Sequence, residues 1–103
     1  MEKVKYFLSI QTFGGEVRTA TPIANCFSFS QNKQAIREWA TEKKEYSVTS
    51  VEVFEITERE YYYQQAKYHL RLAKYFDDNK KMRLDLYHTA IRYTDRYKKM
   101  LNQ

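Results

Sequence analysis

The sequence has few of the residues that bend, break or cross-link a polypeptide chain. Its 103 residues include two glycines, one proline and one cysteine. A single cysteine cannot form an internal disulfide, which excludes a disulfide-stabilised scaffold and favours a reducing compartment. The two glycines, Gly14 and Gly15, are adjacent and lack the lysine of a phosphate-binding loop. No linker or repeat separates parts of the chain, so we expect one domain over residues 1–103.

A long uninterrupted hydrophobic run is also lacking. The apolar residues between Val4 and Ile10 are interrupted by Lys5 and Ser9. This run is too short and too broken for a signal peptide or a membrane span. We therefore expect a cytoplasmic protein that does not act at a membrane.

Clusters of residues suited to catalysis or metal binding are lacking as well. His69 and His88 fall on different predicted helices, and the sequence has no paired-cysteine or His-x-x-x-His spacing. Cys26 is expected to be a small buried hydrophobic residue, because its neighbours supply no positive charge to stabilise a thiolate. We expect no enzymatic activity, no cofactor and no metal.

A small enzyme remains a second alternative because four carboxylates follow closely on one another. These are Glu52, Glu55, Glu58 and Glu60. Two of them could pair as a general acid and a general base. A solvated strand face that leads into a helix N-terminus explains the same spacing more simply, since acidic residues are favourable there.

The first half of the chain predicts a small antiparallel sheet. Residues 4–11 alternate with a period of two, and Gly14-Gly15 supplies a hairpin turn. The return strand weakens towards Pro22, which suits an edge strand or a strand end. A third strand is predicted over residues 46–56, with a bulge near Ser50-Val51. A right-handed crossover places it beside the first strand, giving the order 2-1-3.

A short helix is predicted between the second and third strands. It would span residues 31–44, with Ser30 as its N-cap. Trp39 is the largest hydrophobic residue available to its buried face. The other residues expected on that face are Ala35, Ile36 and Ala40, and those expected to lie under the helix are Cys26, Phe27 and Phe29.

The second half of the chain predicts two long amphipathic helices. Residues 58–76 and 80–101 carry apolar residues at spacings of three and four, with no glycine or proline in either interior. The polar turn Asp77-Asp78-Asn79 makes these helices antiparallel neighbours, with Asp78 or Asn79 as the N-cap of the second. The predicted fold class is α+β, with a ββαβ sheet unit over residues 1–57 and this helical hairpin, over residues 58–103, packed on it.

The positive charge of the protein is concentrated in the helical hairpin. Residues 1–57 contain seven Lys/Arg and seven Asp/Glu, whereas residues 58–103 contain eleven and six. Tyrosine rings among cations can stack on unpaired bases while the cations meet phosphates. Alternatively, the tyrosines are mostly core and the cations only keep the protein soluble. The candidate interaction surface comprises Tyr63, Lys67, Tyr68, Arg71, Lys74, Tyr75, Arg92, Arg96 and Lys99.

The apolar arc of the last helix is wider than packing on one side requires. It covers roughly half the circumference, against about 100° for a helix that packs on one side. Either the helix lies between two layers of the domain, or it has a partner such as a second copy of the chain. The candidate oligomer interface, which would form a homodimer, comprises Tyr93, Tyr97 and Met100.

These features favour a non-enzymatic accessory or regulatory protein that acts by macromolecular binding. We expect a protein partner, either a host complex or a second copy of the chain. The small size also suits a phage or mobile-element inhibitor of a host nucleoprotein complex. The alternative is direct nucleic-acid binding by the basic hairpin, although no helix-turn-helix, zinc-finger or RNA-recognition motif occurs.

Overall fold

The structure, a computed structural model, describes residues 3–14, 17–42 and 48–101. Its elements in chain order are β1 Lys5–Phe13, β2 Val17–Asn25, α1 Phe29–Glu42, β3 Val48–Ile56, α2 Glu58–Tyr75 and α3 Lys80–Leu101. The chain divides into two compact units, Met1–Ile56 and Thr57–Gln103. The predicted α+β class is confirmed, while the packing of the hairpin on the sheet in one domain stays a prediction.

The three strands form an antiparallel sheet with β1 in the centre. The observed order is β2-β1-β3, which confirms the predicted topology. Pro22 lies inside β2 opposite Leu8, and the strand continues to Asn25. An edge strand tolerates proline because one side of it has no partner strand. The second residue of the predicted glycine turn, Gly15, lies outside the described residues, as do the predicted helix end and third-strand start at residues 43–47.

A bulge interrupts the pairing of β1 with β3. Thr12 is opposite Ser50, whereas the next residue, Phe13, is opposite Val48. Thr49 is therefore an extra residue on β3, one position before the predicted bulge at Ser50-Val51. Such an insertion changes the phase of the strand, which explains the break in its hydrophobic alternation.

The core of the sheet unit lies between one sheet face and α1. Phe7, Val51 and Val53 are buried there, with Ile23 and Ile36 packed against them. Alternation along β1 brings two polar residues, Ser9 and Gln11, to this same face. They are 0% and 3% exposed, so the sheet unit has a mixed core of apolar and polar side chains.

Hydrogen bonds satisfy the polar part of this core. Gln11 Nε2 donates to Ser9 Oγ at 2.6 Å, and Thr21 Oγ1 donates to Gln11 Oε1 at 3.4 Å. Asn25 and Asn32 exchange two side-chain hydrogen bonds at 2.8 and 3.1 Å. Buried polar groups of this kind are tolerated when they are paired.

The start of α1 differs from the prediction. Ser28 Oγ accepts from the Gln31 backbone N–H at 3.1 Å, and Gln31 Oε1 accepts from the Ser28 N–H at 2.8 Å. This reciprocal pair is a capping box. The predicted N-cap Ser30 is therefore wrong, because the S-x-x-Q spacing starts the helix two residues earlier than predicted, at Phe29.

The prediction of the buried face of α1 is wrong for Ala35 and Trp39, which are exposed. Asn32 is buried and Ile36 half-buried, whereas Trp39 is 46% exposed. Trp39 lies on the same helix face as Asn32, two turns further along, and a three-stranded sheet is too small to cover the indole there. The residues predicted to be buried but found exposed are Ala35, Cys26, Phe27 and Phe29. The last three belong to the connection into α1 or to its first residue, which the helix does not cover.

Both helices of the hairpin begin at capping residues. Thr57 Oγ1 accepts from the Glu60 backbone N–H at 3.1 Å and so caps α2. Asn79 Oδ1 accepts from the Met82 N–H at 3.1 Å, so Asn79, one of the two predicted caps, starts α3. The short turn returns the chain antiparallel, which matches the predicted hairpin. A side-chain cap satisfies a backbone donor that a helix start otherwise leaves unpaired.

Candidate interaction surface of the helical hairpin

The contact between α2 and α3 is built on small side chains. Within residues 57–101 the buried residues are Ala66, Ala73 and Ala90. A helix surface with alanine at the crossing lets a neighbouring helix approach closely, since the interaxial distance depends on the side chains between them. We call these three residues the alanine seam. The larger apolar side chains of the hairpin lie beside the seam, half-buried or exposed.

Tyrosine rings close one side of the seam. The Tyr62 and Tyr93 rings stack at 6.1 Å between centroids, and the Tyr61 ring meets Tyr93 edge-on at 6.5 Å. The Arg96 guanidinium lies 5.7 Å from the Tyr62 ring and 6.0 Å from Tyr93. These distances suit cation–π attraction. Arg96 therefore helps to hold the two helices together as well as presenting charge.

A groove opens between α2 and α3. Its volume is about 210 Å³, and its lining consists of Tyr63, Ala66, Lys67, Leu70, Thr94, Tyr97 and Lys98. We call it the hairpin groove. The Tyr63 and Tyr97 rings, 5.3 Å apart, form one part of its wall. Each of the two helices contributes one lysine.

The chemistry of the groove is apolar with a cationic margin. Lys67 and Lys98 are exposed, and Lys67 Nζ lies 5.3 Å from the centre of the Tyr63 ring. Thr94 Oγ1 donates to the Ala90 carbonyl oxygen at 2.8 Å, so its hydroxyl proton is already used. None of the seven lining residues that the structure describes is acidic. The groove can therefore accept an apolar group that carries negative charge nearby.

Comparison with known proteins identifies no relative. No protein-family model, curated protein or solved structure matches the chain. What the hairpin can bind follows from the shape and charge of its own residues.

An exposed apolar stripe lies on α3, and the sequence patterns alone do not identify it as a candidate site. Leu84, Tyr87 and Ile91 are all exposed, and Ile91 is exposed by 57%. Their spacing of three and four continues to Thr94 and Lys98, which line the groove. We call these three residues the α3 stripe. The same spacing is visible in the sequence, but there it predicts a wide apolar arc without showing which margin is covered.

The residues of the predicted interaction surface are distributed over both helices of the hairpin. Tyr63 and Lys67 lie in the hairpin groove, whereas Arg96 contacts the tyrosine pair described above. The Arg71 guanidinium lies 5.8 Å from the Tyr68 ring. The exposed members are Tyr63, Lys67, Arg71, Lys74, Tyr75, Arg92, Arg96 and Lys99, and the half-buried member is Tyr68. Their role in binding stays a prediction.

The three residues predicted at an oligomer interface are half-buried in the hairpin. Tyr93 stacks on Tyr62, and Tyr97 lies against Tyr63, so both rings face α2. Met100 is also half-buried, near the end of α3. Their part in self-association stays a prediction, because these contacts are made within one chain.

No group suited to metal binding occurs among the residues that the structure describes. Within those ranges no three His, Cys, Asp or Glu side chains lie together. His69 Nδ1 donates to the Gln65 carbonyl oxygen at 2.8 Å, and its ring lies 5.5 Å from both Tyr68 and Tyr93. His69 thus has a structural environment. Over the same described ranges, no helix combines the length and the apolar character needed to cross a membrane.

Proposed function

We propose that this chain is a non-enzymatic accessory or regulatory protein that binds a protein partner through the hairpin groove and the α3 stripe. The observation that carries the proposal is the position of the groove. An apolar cleft with lysines at its margin adjoins three exposed apolar side chains on the same face of α3. Single exposed apolar residues are ordinary, whereas a contiguous set beside a cleft is typical of an interaction site.

The side-chain types of this surface support the proposal. Tyrosine is enriched at protein interfaces, and this surface exposes Tyr63 in the groove and Tyr87 in the α3 stripe. Tyrosine gives a large contact area at a low cost in side-chain entropy. These residues project from helices, which present them in a fixed arrangement.

The charge of the hairpin supports an anionic partner surface. Residues 58–103 carry eleven Lys/Arg and six Asp/Glu. A positive surface raises the association rate with a negative one and discriminates against basic partners. An inhibitor from a phage or mobile element that blocks a host nucleoprotein complex would use both the apolar groove and this charge.

The proposed compartment is the cytoplasm. Cys26 is the only cysteine in the chain, and its side chain is exposed. An exposed thiol persists in reduced form where glutathione and thioredoxin are present.

A second candidate function is direct binding of single-stranded nucleic acid. Tyr75 is 83% exposed, next to the exposed Lys74 in the last turn of α2. An exposed aromatic face beside a cation can stack on a base while the cation meets a phosphate. Fluorescence anisotropy with labelled single-stranded DNA, duplex DNA and RNA at two salt concentrations tests this candidate. If Tyr75 stacks on a base of the nucleic acid, Tyr75→Ala should weaken binding more than Tyr87→Ala does.

Site-specific photo-crosslinking tests the protein-binding proposal. A photoreactive phenylalanine replaces Ile91 or Leu84 in one set of variants, and Asp78 in the turn as a control. All three positions are exposed. In an extract of the native host, we expect a discrete protein adduct from the two α3 positions and none from Asp78. Adducts that contain only nucleic acid would favour the second candidate, and equal labelling from all three positions would contradict a defined surface.

A further inference from the structure

We propose that the hairpin groove binds an acidic segment of a protein, with one large apolar side chain in the groove and flanking carboxylates on Lys67 and Lys98. This inference rests on the proposed function and adds the chemistry of the partner. It follows from the volume of the groove, the position of its lysines and the predominantly apolar character of its walls.

The volume of the groove matches one side chain. It is about 210 Å³, whereas pockets for drug-sized ligands and cofactors measure about 300–1,000 Å³. An apolar cavity of about 150 Å³ is already large enough to hold benzene. A phenylalanine or leucine side chain therefore fits, and a larger organic cofactor does not.

The two lysines place positive charge on both sides of the groove. Lys67 belongs to α2 and Lys98 to α3, and both side chains are exposed. The contact of Lys67 with the Tyr63 ring holds its ammonium group beside the groove wall. An anchor residue with acidic neighbours on either side would meet both cations, whereas an anchor flanked by lysines would be repelled.

The walls of the groove favour a protein side chain over a nucleobase. A base has hydrogen-bonding edges that need partners once they leave water. The Thr94 hydroxyl proton is already donated to Ala90, and most of the remaining lining atoms are apolar. An aliphatic or aromatic side chain loses no hydrogen bonds on entering such a site. Phosphates could reach the lysines, but the attached base would be poorly accommodated.

Binding of designed peptides to the full chain tests the inference. The probes are short fluorescein-labelled peptides of aspartate and glutamate around one central phenylalanine, leucine or alanine. We expect the phenylalanine and leucine peptides to bind, and the alanine peptide to bind roughly tenfold more weakly or worse, because the large side chain loses contact with water on binding. Anisotropy at near-physiological salt measures the affinities, with single-stranded DNA as a separate arm.

Paired charge reversals identify the site of binding. Lys67→Glu with Lys98→Glu changes both groove cations, and we expect it to weaken peptide binding roughly tenfold or more. Lys80→Glu with Lys81→Glu makes the same change in net charge at exposed positions in the first turn of α3. This control should leave the affinity nearly unchanged. Circular dichroism of both variants checks that the helices remain folded.

Several outcomes would overturn the inference. These are no peptide binding, equal binding of the alanine peptide, equal losses in the two double variants, and tighter binding of single-stranded DNA that depends on Lys67 and Lys98. If Ile91 crosslinks to a protein while the peptides fail, the proposed function stands and the inferred apolar anchor with flanking carboxylates is wrong. If neither experiment gives binding, both proposals fail.

Discussion

The sheet unit and the helical hairpin bury side chains of different size. The sheet unit buries Phe7, Val51 and Val53 against α1, together with hydrogen-bonded polar residues. Among residues 57–101, the hairpin buries only the alanine seam and leaves large apolar residues half-buried or at the surface. Burial of large side chains stabilises a fold, whereas exposed ones are available to a partner. Both units also expose large apolar side chains, so the proposal that the hairpin binds a partner rests on its groove and on the α3 stripe beside it.

The two units also satisfy their polar groups differently. In the sheet unit the Gln11 amide is buried and bonds to Ser9 and Thr21. In the hairpin, polar contacts lie along the helices, where the Tyr62 hydroxyl donates to Glu58 at 2.8 Å and Gln65 Nε2 donates to the Tyr61 hydroxyl at 2.6 Å. Loss of a partner should therefore cost more in the sheet unit, since buried groups have no water to replace it.

Removal of Phe7 should produce the largest effect and tests the core of the sheet unit. We expect Phe7→Ala to lower the free energy of unfolding by about 3–5 kcal/mol, because the side chain is fully buried. Urea unfolding, with amide exchange of β1 as a local readout, measures the loss. Trp39→Ala is the aromatic control and should cost less, because that indole is half exposed. Equal losses would show that Trp39 belongs to the core.

Enlargement of the alanine seam tests close packing in the hairpin. Ala73 is fully buried, so Ala73→Leu should destabilise the protein by about 1–3 kcal/mol through overpacking. Ala35→Leu places the same side chain at an exposed position of α1 and should be nearly neutral. Urea unfolding compares the two variants. A stabilised Ala73→Leu variant would mean that α2 and α3 leave a cavity at the seam.

A double-mutant cycle tests whether the buried polar pair of the sheet unit acts together. Ser9→Ala and Gln11→Leu each remove one member of the 2.6 Å hydrogen bond. We expect the double variant to lose about 1 kcal/mol less than the sum of the single variants, because neither Ser9 nor Gln11 then remains as an unpaired member of their hydrogen bond. The loss of the Thr21 hydrogen bond is common to Gln11→Leu and to the double variant and cancels in the cycle. Strict additivity in urea unfolding would contradict this coupling.

Removal of the α2 cap should have the smallest effect. Thr57→Ala deletes the hydroxyl that accepts from Glu60 N–H, and we expect a loss of about 0.5–1 kcal/mol, since water can partly replace this exposed bond. Thr57→Ser keeps the hydroxyl and should retain most of the stability. Amide exchange at residues 58–60 measures the fraying. An unchanged exchange rate in Thr57→Ala would show that the cap contributes nothing.

The fold was largely predictable because its determinants are local. The period of two in β1, the helical spacing beyond residue 58 and the polar turn at Asn79 lie within short segments. The errors at α1 have a different origin. Whether Trp39 is covered depends on how far the sheet extends, and the position of the N-cap was decided by the Ser28–Gln31 pair. The S-x-x-Q spacing of this pair is present in the sequence and is the signal that locates the cap.

The candidate surface was only partly predictable. Tyrosine–cation interleaving pointed to Tyr63 and Lys67, which line the groove. This pattern does not distinguish side chains that only face solvent from those that contact α2 within the hairpin. Tyr93 and Arg96 belong to the second group. Ile91 falls at one margin of the apolar arc of the last helix, and periodicity alone does not tell which margin stays in contact with water.

The alanine seam has a consequence for how the two helices can be aligned. Ala66 and Ala73 are separated by two turns on α2, with the larger Leu70 between them near the same face. A slide of one turn along the helix axis would bring Leu70 to a position now occupied by alanine, and the helices would have to move apart. The hairpin therefore has one favoured registry. A partner that enters the groove meets walls already in place, so little conformational entropy is lost when it binds.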